Sequence, residues 1–471
     1  MDSERHGVIG ALAAHRPLLI SVVFAFGLTA LSVVGFASAS AGQQVARFAI
    51  DILFGLSIPV VLVSLAPTTP IRRLLFALML GGALFGVTRL AHAYSPGVVR
   101  AILPSSASII VGSVLIILLS QLRPVIGQIT ALTVAAPFAA MLGTLGAIGF
   151  VGLNIEPSLE IVAVVACLGL SLACLIGVGV SADFTHGFAH GAEMHDAAGR
   201  AAYLGISFCV YALFICIVIF GVSRTMGTAA LDWSWREIFY TGGGIVLATV
   251  TVLLLTAASL SLKDPDEKIA VIENQRGQNF RDWWRYIRRV LPASSALAAF
   301  AMLLIFSVVA IFTASHAPSV SSIIFICVSG IGAGVVFVSL RTGLFVFSAL
   351  FISTIIVNWG IEIIRGAAPE PMALLTAQIC VALLYAQIGV AWRDSINPWR
   401  KARETTGHAM TQGAHRYIVS TLLSVAAMVI CQTSGLWSGG GVAAAYLFGQ
   451  AVIGFIIAPP LMTSISAAFG K

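Results

Sequence analysis

Charge is what this chain has least of. Asp, Glu, Lys and Arg together make up 10% of its 471 residues, against about 25% in soluble domains. A water-soluble enzyme, a disordered chain and a fibrous protein are excluded on that count. Paired cysteines are missing too. The seven cysteines (Cys167, Cys174, Cys209, Cys216, Cys327, Cys380 and Cys431) all lie in apolar stretches, and none has CxxC spacing. Neither a disulfide framework nor a thiolate metal site is expected, and each reads as a small apolar residue. No Ser-His-Asp set, no phosphate loop followed by Lys-Ser/Thr and no nucleic-acid module is found. No enzyme activity, no cofactor, no metal and no nucleic-acid partner are therefore expected.

What the chain has in abundance is apolar surface. Apolar residues make up 59% of it, and the mean hydropathy is +1.00. This is the composition of an all-α polytopic membrane protein. A helix crossing about 30 Å of hydrocarbon needs about 20 apolar residues, and the sequence offers about fourteen such windows: 17–41, 48–66, 73–91, 104–122, 126–152, 159–182, 201–222, 238–262, 292–313, 319–339, 342–364, 371–392, 415–434 and 440–465. The polar start MDSERHGVIGALAAHRP reads as a cytoplasmic tail leading into an uncleaved first span, because the apolar run after it is too long for a signal peptide.

The net charge of +7 is explained by topology. With the first residue inside, the inside connectors hold Arg72, Arg73, Arg123, Arg200, the runs 263–291 and 393–416, Arg341 and Lys471. The outside connectors hold only Arg47, Arg100, Arg224, Arg236 and Arg365. Cytoplasmic loops carry the excess of Lys and Arg, so both termini are expected in the cytoplasm. The polar run 263–291 mixes Phe280, Trp283, Trp284, Tyr286 and Ile287 with Arg281, Arg285, Arg288 and Arg289. That suits a helix lying in the headgroup layer, or one that docks a partner.

The run 263–291 separates two similar parts. In the first, SSASIIVGSVLIILLSQLRPVIG (105–127) precedes a long apolar pair of spans and then CLIGVGVSADF (174–184). In the second, VSSIIFICVSGIGAGVVFVSLRTGLF (320–345) precedes another pair and then AQIGVAWRDS (386–395). Arg123 matches Arg341, and Asp183 matches Asp394 with one gap. A repeat of membrane bundles is a transporter architecture, with its site at the repeat interface. Glycine clusters at 143–152, 177–180, 330–334 and 438–445 read as close helix packing. The organisation expected is a tail and three spans over 1–103, the remaining five helices of a first repeat over 104–262, a linker over 263–291 and a second repeat of six helices over 292–471.

This order of elements resembles the RND superfamily, in particular its MmpL branch. LIGVGVSADF is similar to that family's fourth-helix element, with Asp183-Phe184 at its Asp-Tyr position, and AQIGVAWRDS to the tenth-helix element, with Asp394-Ser395 at the same place. The stretches 122–162 and 441–462 resemble the second-to-fourth helix region and the last helix. The resemblance implies two pseudo-repeated six-helix halves plus about two extra N-terminal spans, in a bacterial inner membrane. Three features differ. No large extracytoplasmic domain follows the first or seventh helix, the family tyrosine is replaced by Phe184 and Ser395, and Arg393 stands beside Asp394.

Ionisable groups inside a span are costly and are functional candidates for that reason. The resemblance implies a proton relay through Asp183 and Asp394, with Ser395 and Arg393 as neighbours. A helix of ordinary length would instead leave both carboxylates at the wetted boundary. His186 and His190 follow Asp183 at helical spacing on one face. They could admit protons or, weakly, bind zinc or iron, or simply form a polar helix end. The expected function is transport of a hydrophobic or lipid-like molecule within the membrane, with membrane lipids as surroundings and a membrane protein or a second copy as partner. The alternative is a non-transporting scaffold or lipid-sensing subunit of a larger membrane complex.

Overall fold

The computed structural model describes residues 194–225, 320–365, 371–396, 402–433 and 437–469. Every element there is a helix: α1 (Met194–Thr225), α2 (Val320–Val336), α3 (Leu340–Arg365), α4 (Pro371–Ser395), α5 (Ala402–Thr433) and α6 (Gly440–Ala468). The windows 201–222, 319–339, 342–364, 371–392, 415–434 and 440–465 each fall on one of them; the other windows lie outside the described residues. Three are long and apolar enough to cross a membrane, over Leu340–Ile364, Met372–Ser395 and Gly440–Ser466, and shorter apolar helices cover Tyr203–Val218, Ser322–Val336 and Ser420–Thr433. In lipid, every backbone N–H and C=O must be paired within the protein, and a helix pairs them within its own segment. The chain is a helical membrane protein.

The described residues fall in two compact units. One contains 194–205, 426–433 and 437–438; the other contains 206–225, 320–365, 371–396, 402–425 and 439–469. The second unit holds the core. There α3 packs along α2, α4 and α6, and α4 packs along α6. Buried Tyr211 on α1 donates to the Ser329 carbonyl of α2 at 2.9 Å, and Phe208 and Tyr211 both lie against Phe337. On α5, buried Tyr417 donates to the Ala451 carbonyl of α6 at 2.7 Å and stacks on Phe455. The outer faces are apolar. Ile323, Cys327, Ile331 and Val335 on α2, and Phe448, Val452 and Ile456 on α6, recur every four residues and are exposed. Such stripes would be a liability in water. In hydrocarbon they are the surface a helix presents to lipid.

Small residues set how closely the helices approach. A Cβ on Gly330 would meet Phe347 Cβ at 2.7 Å, and one on Gly343 would meet the Gly330 carbonyl at 2.7 Å. The cluster GIGAG thus lets the α2 and α3 backbones touch, as small residues do in membrane bundles. The turn between these helices is a Schellman motif: Ser339 N–H donates to Gly334 O at 2.9 Å and Val338 N–H to Val335 O at 3.2 Å. Val338 takes the left-handed position there, at φ 49°. Ser339 then caps α3, its hydroxyl accepting from the Thr342 N–H at 3.2 Å, which serves one of the orphan donors of the first turn.

One boundary differs from the sequence expectation. The run 393–416 reads as a polar connector, yet α4 continues through Ser395 and α5 begins at Ala402. The Arg, Glu, Gln and His residues of 402–416 extend a membrane helix at its polar end instead of forming a loop. Inside α6, Pro459 and Pro460 cannot donate to the carbonyls of Phe455 and Ile456. Beyond them, the hydroxyls of Thr463 and Ser464 donate back to the Pro459 and Pro460 carbonyls at 2.8 and 2.9 Å.

Candidate functional site

The site is built on α4. That helix is buried without a break from Met372 to Val390, so α4 is the inner helix of the described bundle. Pro371 opens it, a position where the missing N–H costs nothing. Gly389 brings it against α3: a Cβ there would fall 2.7 Å from Thr342 Cγ2, and the Thr342 hydroxyl donates to the Gly389 carbonyl at 3.2 Å. Trp392 and Tyr385, both fully buried on α4, pack edge-on against Phe345 of α3.

Three of the residues singled out in the sequence sit at the end of this helix. The Arg393 guanidinium binds Asp394 Oδ1 through Nε and Nη2, both at 2.8 Å, and its Nη1 donates to the Phe337 carbonyl at 2.8 Å. Asp394 is 54% exposed and Arg393 36% exposed at the side chain. Arg393 lies in the last turn of α4, where a cation suits the negative end of the helix dipole. It also serves a carbonyl at the end of α2 that has no helical partner. The Ser395 hydroxyl donates to Ala391 O at 2.6 Å. The arrangement joins the end of α4 to the α2–α3 turn through one cation. Asp183, His186 and His190 lie outside the described residues. Among the described residues, no group of three or more His, Cys, Asp and Glu side chains could hold a metal ion.

Deeper in the bundle is a polar junction that the charged residues do not mark. Gln378 of α4 and Gln450 of α6 both donate to the Thr354 hydroxyl of α3, at 3.5 and 3.3 Å. Tyr385 donates to the Gln450 main-chain carbonyl at 2.5 Å. Gln387, also on α4, is buried, and among the described residues neither its amide ends nor the hydroxyls of Ser420, Thr421 and Ser424 on α5 have a hydrogen-bond partner. With Tyr417 these three occupy positions i, i+3, i+4 and i+7, one face of α5. The signal in the sequence was glutamine inside apolar windows, where a primary amide is out of place unless it meets a partner.

No family model matches the chain, and no curated protein matches it. Among solved structures, it is similar to SecDF, a translocon-associated membrane protein from Thermus thermophilus, at 13% identity and a TM-score of 0.47. The match covers 75% of this chain and 63% of that one, so this chain spans less than two thirds of the length of the solved structure.

Proposed function

We infer that the chain is an RND-like membrane transport protein, or a transport subunit, that moves a hydrophobic or lipid-like molecule within the inner membrane. The observation that carries this reading is α4. It is wrapped along its whole apolar length, bears Gln378 and Gln387 in its interior and ends on Arg393, Asp394 and Ser395. Polar groups at membrane depth face a bundle interior and mark pathways, and α4 holds the stretch that resembles the family's tenth-helix element. Coupling to the proton gradient runs in this reading through Asp183 and Asp394, with His186 and His190 admitting protons. Asp394 at the end of α4 is where a proton meets solvent, held beside Arg393. The apolar outer faces of α2 and α6 suit cargo that arrives laterally from lipid. Both termini lie on the cytoplasmic side, with Arg393.

The test is proton flux. The full chain is reconstituted in vesicles holding a pH-sensitive dye, and a pH gradient is imposed. Flux above that of empty vesicles is expected, lost in Asp183→Asn and in Asp394→Asn at unchanged yield and helicity. Parent-like flux in both variants would sink proton coupling.

One observation favours a second reading, a non-transporting scaffold or lipid-sensing subunit: Asp394 is half exposed and clasped by its neighbour. Native mass spectrometry from a mild detergent separates the two. A lipid adduct on bare chains supports transport, and a defined complex with a second polypeptide supports the scaffold.

A further inference from the structure

Thr354, Gln378 and Gln450 come from three helices and meet at one hydroxyl. The two N–H···O distances, 3.5 and 3.3 Å, are long for this bond, which ordinarily runs about 2.7–3.2 Å. Ser353 stands beside Thr354. Its hydroxyl donates to Leu350 O at 3.3 Å and reaches the Tyr385 hydroxyl. All five side chains are buried, none more than 1% exposed. Interhelical hydrogen bonding accounts for the two amide nitrogens. It does not account for Gln450 Oε1, which is buried with no partner among the described residues, and a buried acceptor left unserved is costly.

The distances fit a different occupant. A half-turn of an amide exchanges its nitrogen for its oxygen and moves nothing else. With both amides turned, Gln378 Oε1 and Gln450 Oε1 stand 3.5 and 3.3 Å from Thr354 Oγ1. A hard cation that holds oxygen at about 2.4 Å places neighbouring octahedral ligands about 3.4 Å apart. The donors are neutral oxygens, which select hard ions over soft ones. No carboxylate is among them, so a divalent ion, whose sites are built on carboxylates, is not matched.

The geometry points to a binding site for a dehydrated monovalent cation of sodium's size, formed by Thr354, Gln378 and Gln450. It is independent of the proton reading, since Asp394 takes no part in it.

The experiment is thermal unfolding of the full chain in detergent, with sodium chloride exchanged stepwise for choline chloride at constant ionic strength. A ligand that binds the folded chain raises its Tm with the logarithm of its concentration once that exceeds the Kd. Sodium is expected to do so, and the apparent affinity is expected to fall at least about tenfold in Thr354→Val. Asp394→Asn is expected to respond as the parent does, so failure of proton coupling would leave this result standing. If Thr354→Val does not fold, Gln450→Glu decides. A carboxylate at that position should tighten sodium about tenfold, and unchanged affinity there overturns the site. Equal Tm in sodium and choline for the parent also overturns it and assigns the junction to water. So does a sodium response that Thr354→Val retains.

Discussion

The phenol of Tyr385 seats its ring on Gly454 and donates to the main-chain carbonyl of Gln450 at 2.5 Å. Tyr417 donates to the next carbonyl, that of Ala451, at 2.7 Å. Two tyrosines on α4 and α5 thus grip consecutive residues of α6, less than three turns before its double proline. A Cβ at Gly454 would fall on the Tyr385 ring, and a buried ring hemmed in on all sides cannot step aside. Gly454→Ala should therefore destabilise the chain by about 1–3 kcal/mol, as overpacking does. The same change in a Tyr385→Leu background should cost much less. Unfolding temperatures of the three variants in one detergent check this, and additive losses would contradict the contact.

Val338 holds the left-handed position of the α2–α3 turn at φ 49° and is 85% exposed. Its side chain gains little from burial, and a β-branched residue is strained there. Val338→Gly should raise stability by roughly 0.4–1 kcal/mol or more, since glycine takes this conformation freely while the strain of valine is relieved. A fall in Tm would mean that the exposed valine makes a contact that outweighs its strain.

How much of this was legible in the sequence follows from what lipid demands. Apolar runs had to be helices of a length fixed by the hydrocarbon, so the windows 342–364 and 440–465 fall on α3 and α6. The start of α5 was hidden, because Arg403, Glu404, His408 and His415 read as a connector while an α-helix accepts them at a wetted end. Asp394 read as the start of that connector, and α4 runs one residue past it. The Thr354 junction escaped notice because neutral residues carry no charge signature. Thr354 and Gln450 lie 96 positions apart, and nothing in either neighbourhood announces the other.

The Arg393–Asp394 pair predicts an asymmetry. The pair is more than one third exposed on both sides, so its mutual attraction is worth about 0–1 kcal/mol. Asp394→Asn should change stability by less than about 0.5 kcal/mol. Arg393→Ala should cost more, about 0.5–1.5 kcal/mol, because the Phe337 carbonyl loses its donor. A double-mutant cycle measures the pair alone, and a coupling well above about 1 kcal/mol would show that the exposed geometry understates it.

Gln387 gives the sharpest test of the α4 interior. It is 5% exposed, and both amide atoms lack a hydrogen-bond partner among the described residues. If the side chain is as isolated as its neighbours leave it, its amide is a pure desolvation cost of about 1–3 kcal/mol. Gln387→Met, nearly equal in volume and apolar, should then hold or raise the Tm. The opposite outcome is equally informative. A loss of stability would show that the amide is bonded to ordered water, which buried unpaired groups commonly recruit. The Ser420–Thr421–Ser424 face of α5 would be the next place to look for that water, since its hydroxyls are unpaired too. The same substitution should then slow proton flux in vesicles, because removing an amide from a hydrated track breaks a chain that an isolated, dry side chain never joined.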